Sequence, residues 1–188
     1  MINRILLIVF TIGFINSLEE SKIEWSDNST LTIEDFQAEA PNTGTIQTVQ
    51  GHITIEYQFK NYELMASQNF NKNVTCYFYR EASWIDPGEK NTGRLLRYAQ
   101  TIFDMNEWQA RELRKRFREN RSQVLAGKHS ELYEQLTTEF AGIQSQYSKD
   151  TDFGTIEEKQ VEWEEKIKNN LADLADYCKQ CKPVKKKK

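Results

Sequence analysis

Apolar and polar residues alternate with period two over residues 52–60, placing Ile53, Ile55, Tyr57 and Phe59 on one face. Residues 73–80 repeat the pattern, with Val74, Cys76 and Phe78 on one face and Thr75, Tyr77 and Tyr79 on the other. Both stretches predict strands, and residues 62–67 predict a third. Asn71-Lys72-Asn73 predicts a turn, Glu39-Ala40-Pro41-Asn42 breaks any strand there, and Asp86-Pro87-Gly88 closes the β-rich region. Beyond it the period lengthens. Leu95, Ala99, Ile102, Ala110, Leu113 and Phe117 recur at helical spacing, with only Asn106 off the pattern. Further helices are predicted over about residues 130–147 and about residues 156–177, the latter with Val161, Ile167, Leu171 and Leu174 as core candidates. Arg111, Arg114, Lys115, Arg116, Arg118 and Arg121 flank the first helix's stripe and read as a solvated face. Strands followed by helices argue α+β: an N-terminal, mostly antiparallel sheet packed against about three C-terminal helices.

Composition changes this picture only at the ends. Residues 1–17 have the form of a secretory signal, with Arg4 as a basic start, an apolar run from Ile5 to Ile15, and the small Ser17 before a cleavage point. The run is shorter than the roughly 20 residues that span a bilayer. Export to the periplasm or the extracellular space is therefore expected, leaving one domain over residues 18–178. Trp25, Trp84, Trp108 and Trp163 offer large side chains for its core. No segment after the leader is apolar enough to cross a membrane. The whole chain has 25 Lys and Arg against 28 Asp and Glu, a net charge of −3. That balance gives no global attraction to nucleic acid. Residues 179–188 form a basic tail ending in Lys185 to Lys188, expected to be disordered, with weak contact to an anionic surface as its one foreseeable role.

Cys76, Cys178 and Cys181 are the three cysteines. In an oxidising compartment thiols pair, and an odd number leaves at least one free or bonded to another chain. Cys178-Lys179-Gln180-Cys181 is a CxxC that follows a predicted helix rather than opening one. A helix C-terminus disfavours a thiolate. A local disulfide or a tether to another protein fits that placement better than redox catalysis.

Several blocks resemble one family, the small secreted zinc-dependent peptidase-like proteins of bacteria, a family of unknown function whose helix reads roughly LLxHEQxHFDIxExxARxLR. Residues 95–114 read LLRYAQTIFDMNEWQARELR. Gln100, Phe103, Asp104, Glu107, Ala110, Arg111, Leu113 and Arg114 fall in register. Trp25-Ser26 with Leu31-Thr32-Ile33-Glu34-Asp35-Phe36 is similar to the family's opening, and Ser83-Trp84-Ile85 to its SWV segment. Residues 147–154, YSKDTDFG, followed by Gln160 and Trp163, are similar to its YDxxTxHG block, with Ser148 departing from the pattern.

The resemblance implies a zincin-like fold and a zinc site. In the family's helix two histidines at i and i+4 grip the ion and the adjacent Glu is the general base. The third ligand is expected from the histidine of the TxHG block. Here Tyr98, Ala99, Ile102 and Phe153 occupy those positions. Ile and Phe have no lone pair to give, and Ala cannot move a proton. Tyr98 would bind a metal only as phenolate, against an ordinary pKa of about 10. No zinc and no other cofactor is therefore expected, although the framework residues Gln100, Phe103, Asp104, Glu107, Arg111 and Arg114 are kept. Asp104 and Glu107, at i and i+3, are too few for a calcium site and are expected to pair with Arg111 or Arg114. His52 and His129, the only histidines, share no spacing. The leading expectation is an exported, non-catalytic relative of a zinc peptidase that binds an unidentified protein or peptide, or has a structural role, in the cell envelope. Two others stay open: an active hydrolase with different ligands, and a redox or tethering protein acting through Cys178 and Cys181.

Overall fold

The computed structural model describes residues 21–41, 48–60 and 69–182. The leader, the strand expected at 62–67 and the lysine run 185–188 lie outside the described residues. Three strands form one antiparallel sheet: β1 (Lys22–Glu24), β2 (Val49–Tyr57) and β3 (Val74–Ile85), in the order β1-β3-β2. Four helices follow: α1 (Thr92–Glu119), the short α2 (Arg121–Leu125), α3 (His129–Thr151) and α4 (Glu157–Asp173). The architecture is α+β.

The two predicted strands are the central part of this sheet. Opposed across it are Ile53 and Phe78, Ile55 and Cys76, and Tyr57 and Val74. Pairing fixes that register because a slip of one residue would turn each of these side chains away from the helices. Strand β3 runs further than its alternation suggested, to Ile85. Its pairing breaks between Gln50 and His52 of β2, where the partners jump from Trp84 to Tyr79. The fully buried Ser83 patches the break, its Oγ accepting from the His52 amide at 2.8 Å and donating to the Tyr79 carbonyl at 2.6 Å. The turn expected at Asn71-Lys72-Asn73 is a single 3-10 turn.

Helix α1 is the axis of the domain. Asn91 caps it, its Oδ1 accepting from the Arg94 amide at 3.1 Å. The sheet packs on one side of α1, and α3 and α4 pack on others. The predicted stripe Leu95, Ala99, Ala110, Leu113 and Phe117 is buried, while Ile102 is only partly covered. Burial extends well beyond the stripe: Met105, Trp108 and Gln109 are inside as well. Asn106, off the apolar pattern, is buried too and donates to the Ile102 carbonyl at 2.8 Å.

Two expectations fail for this reason. Arg111 and Arg114 do not belong to a solvated face: they are 5% and 1% exposed. A helix enclosed on several sides has no single wet face to give its charges. Val161 is not core but 41% exposed; α4 buries Gln160, Trp163 and Ile167 instead. Trp108 and Trp163 are core, whereas Trp25 and Trp84 are only partly buried.

The buried arginines are paired. Arg114 donates to Glu107 at 2.7 Å, to the Val74 carbonyl at 3.0 Å and to the Tyr177 carbonyl at 2.9 Å. Arg111 donates to Glu107 at 3.1 Å and to the Leu171 carbonyl at 2.7 Å. One charge cluster thus joins α1, β3, the end of α4 and the 3-10 turn Ala175–Tyr177 that follows it. Just beyond, Cys178 and Cys181 are bonded to each other. The Cys181 carbonyl accepts from Asn71 at 3.0 Å and from Asn69 at 3.1 Å, fastening the chain end to the start of β3.

The third cysteine, Cys76, is buried under the sheet, and burial pushes its thiol well above its ordinary pKa. It stays protonated and out of reach of solvent. A thiol reagent should therefore find no reactive thiol in the native, unreduced protein and one after denaturation. Replacing Arg114 by Met strands Glu107 with one guanidinium where it had two, and should cost about 3–5 kcal/mol in urea denaturation. Replacing Arg114 and Glu107 together by Met should cost less than Arg114→Met alone, since no buried carboxylate is then left under-paired.

Candidate functional site

The four positions that the resemblance marks for zinc chemistry are split by the fold. Tyr98 and Phe153 come together, their ring centroids 6.0 Å apart. Tyr147 of α3 stacks on Tyr98 at 5.1 Å with an interplanar angle of 14°. The Tyr98 hydroxyl shares a 2.7 Å hydrogen bond with Ser148, and burial raises its pKa. Tyr147 donates to Gln160 at 2.8 Å, and burial raises its pKa strongly. Both phenols are therefore neutral at physiological pH. Ala99 is buried in the core, and Ile102 is partly buried against it.

The loop carrying Phe153 is built to hold it there. Asp152, Phe153 and Gly154 all have positive φ, at 45°, 54° and 81°. Gly154 passes so close to Tyr98 that a Cβ would meet the tyrosine's own Cβ at 3.2 Å, at a φ that side chains disfavour. Arg94 donates to the Phe153 carbonyl at 2.7 Å. The Phe153 side chain is nevertheless 44% exposed, so it caps the tyrosine stack and does not fill a closed core. These residues do not fit a zinc ion: one hydrogen-bonded phenol is the only ligand atom that Tyr98, Ala99, Ile102 and Phe153 supply between them. Among the described residues no group of three or more His, Cys, Asp or Glu is placed to hold a metal.

The framework residues cluster elsewhere on α1. Gln100 accepts from the Leu31 amide at 2.9 Å and donates to Asp104 at 2.9 Å. Asp104 accepts from the Trp25 indole at 2.8 Å. Arg111 lies 5.3 Å from the centre of the Trp25 ring and 3.6 Å from Asp27. Gln100, Asp104 and Arg111 thereby pin the irregular segment 25–31 against the helix. Glu107 and Arg114 pin β3 and the C-terminal turn, as described above. Phe103 is fully buried against Phe78, with centroids 5.9 Å apart. The expectation that Asp104 and Glu107 both pair with Arg111 or Arg114 holds for Glu107 only. A step of three residues turns the helix about 300°, and the two carboxylates leave it toward different neighbours.

Between segment 25–31, α1 and α4 lies a cleft of about 1020 Å³. Its lining includes Trp25, Leu31, Leu96, Ile167 and Leu171, together with Asp104. Along one side Arg97 grips Glu164 through two bonds of 2.7 and 2.8 Å and reaches Glu157 at 2.6 Å. The hydrogen bonds that Arg97 donates to Glu164 and Glu157 raise its pKa. Burial alone would raise the Glu164 carboxyl, but hydrogen bonds from Arg97 and Gln160 outweigh it and hold the pKa below its ordinary value. Asp104 behaves oppositely: burial raises its pKa, and the hydrogen bonds from Trp25 and Gln100 offset that only in part.

Residue spacing does not announce this cleft. Arg97 and Glu164 are 67 positions apart, and Trp25 and Asp104 are 79 apart. His52 is exposed at the edge of Tyr79, while His129 sits beside Tyr57 and Phe59, so the structure does not bring the histidines together. No family model, no curated protein and no solved structure matches the chain.

The raised Asp104 pKa has a signed consequence. Its charged form is disfavoured by folding, so its contribution favours the fold most at acid pH and is lost as pH rises through the folded-state pKa. Asp104→Asn keeps an oxygen for Trp25 and Gln100 without the charge. It should leave stability at pH 7 equal to wild type or slightly higher, and lower it relative to wild type as the pH falls toward 3. Urea midpoints across pH 3–8 read this directly.

Proposed function

We propose that the protein is an exported, non-catalytic relative of a secreted zinc peptidase, retained as a binding module of the cell envelope. The meeting of Tyr98 and Phe153 carries this reading. The resemblance assigns these positions to two zinc ligands far apart in sequence, and ligands of one ion must converge in space. Here the converging side chains are aromatic and neutral, Phe153 lying tilted over the Tyr98 ring. The kept framework supports the same reading. Gln100, Asp104, Arg111 and Arg114 anchor other segments to α1 and Glu107 holds both arginines in place, so they have a structural reason to persist once the metal chemistry is gone. A zincin-like arrangement belongs to this proposal and is supported by a long helix lying on an antiparallel sheet. Export is supported by the bonded Cys178 and Cys181, since such bonds persist in oxidising compartments.

Among the described residues no helix is long and apolar enough to cross a membrane. The disulfide closes a turn whose Cys181 carbonyl already accepts from Asn69 and Asn71, which favours a structural use of the CxxC over a redox one. Contact between the lysine tail and an anionic surface remains a secondary part of the proposal.

Elemental analysis of the purified protein tests the loss of metal. Well under one zinc per chain is expected; one tightly held equivalent whose removal abolishes peptide cleavage would sink the reading. The complementary test restores the ligands. The triple variant Tyr98→His, Ile102→His, Phe153→His should take up about one zinc ion per chain. A folded triple variant that takes up none would overturn the assignment of these positions.

A further inference from the structure

Asp104 is a partly buried carboxylate without a cation. Its neighbours Trp25 and Gln100 are neutral donors, and both bond its Oδ1. Among the described residues no ion pair reaches it, although two arginines line the same cleft. Those arginines are committed. Arg97 holds Glu164 and Glu157, and Arg111 holds Glu107, the Leu171 carbonyl and Asp27. Of the lining cations only Lys168 is exposed. The other acidic lining residues, Asp27 and Glu164, have their arginines. The cleft therefore presents one carboxylate with no ion-pair partner among the described residues, beside apolar walls and the exposed Lys168.

Such a surface selects its ligand by exclusion. An anion is repelled by Asp104. A neutral molecule covering Asp104 would strip more water from the carboxylate and return no charge. Among the described residues no group of three or more His, Cys, Asp or Glu is placed to hold a metal ion there. An ammonium or amidinium group both replaces the lost water and donates to the carboxylate. The walls then require an apolar body behind that group, and the cleft's volume suits a small molecule.

We propose that this cleft binds a small organic cation, with one positive group at Asp104 and an apolar body against Trp25, Leu31, Leu96, Ile167 and Leu171. The ammonium docks on the side of Asp104 that Trp25 and Gln100 leave open. Arg111 already lies against the Trp25 ring, so the carboxylate provides the main attraction. Lys168 disfavours a second positive charge on the ligand, which makes a monoamine better than a diamine. The proposal rests on the reading of the protein as a binding module. It does not depend on the lost zinc site, whose residues Tyr98, Ile102 and Phe153 are not among the cleft's walls.

The probes are 2-phenylethylamine and its neutral analogue 2-phenylethanol, titrated into the full chain labelled with nitrogen-15. The indole N–H signal of Trp25, assigned with Trp25→Phe, reports the cleft. The amine should shift that signal saturably and bind about tenfold or more tightly than the alcohol, the effect of one charge-assisted hydrogen bond. Asp104→Asn should reduce that preference to about twofold or less. Lys168→Glu, a change at an exposed position, should tighten amine binding. Equal binding of amine and alcohol to the wild type overturns the proposal. So does a preference that survives Asp104→Asn, or an amine that leaves the Trp25 signal unmoved. The zinc measurements are unaffected by any of these outcomes, so failure of the cleft and failure of the non-catalytic reading are separable.

Discussion

The buried pairing of Arg114 with Glu107 is the constraint on which the rest of this structure depends. Two charged groups, 1% and 3% exposed, sit inside the domain at 2.7 Å. Removing such a pair from water costs several kcal/mol per ion, and only close, well-bonded geometry offsets that cost. Every remaining donor must be used. Arg114 meets the requirement by holding the carbonyl groups of Val74 and Tyr177, and Arg111 does so by holding that of Leu171. The sheet, the central helix and the turn Ala175–Tyr177 are thus locked in one arrangement by the need to satisfy the donors of these buried charges. Apolar packing alone would tolerate some sliding of α1 along the sheet. Directed bonds to single carbonyl oxygens do not.

The same cluster sets the cleft. Arg111 links the charge network to the Trp25 ring and to Asp27, so the irregular segment 25–31 is held at the helix from one end. Gln100 and Asp104 hold it from the other. What remains between that segment and α4 is open and largely apolar, with Asp104 as the lining carboxylate that no arginine holds. On the neighbouring flank of α1 the situation is reversed. There Tyr98, Tyr147 and Phe153 close on one another, and each polar atom of the phenols has a side-chain partner. One helix therefore carries a filled flank and an open flank. The resemblance directs attention to the first, while the geometry gives the second the greater capacity to bind.

Much of the fold is legible in the pattern of residues. Period two marked β2 and the first part of β3, and helical spacing marked α1, α3 and α4, because each element buries one face and the spacing of that face is local. The extension of β3 to Ile85 was not legible, since it depends on Ser83 bridging a break in pairing with a strand more than 30 positions away. Nor was the burial of Arg111 and Arg114. Arginines in a helical charge run look alike whether water or Glu107 receives them. Val161 was misplaced because α4 turns Gln160 and Trp163 inward, and a buried glutamine carries no apolar signal.

For the candidate site the division is sharper. The sequence by itself determined that the helix at 95–114 carries no histidine or cysteine, since residue type needs no coordinates. Only the tertiary structure decided what the framework does, that Tyr98 meets Phe153, and that Asp104 is left without a cation in an apolar cleft. The physical reason is that charge compensation depends on distance in space. The pairs that decide it here are separated by 4 positions in one case, Arg111 and Glu107, and by 67 in another, Arg97 and Glu164.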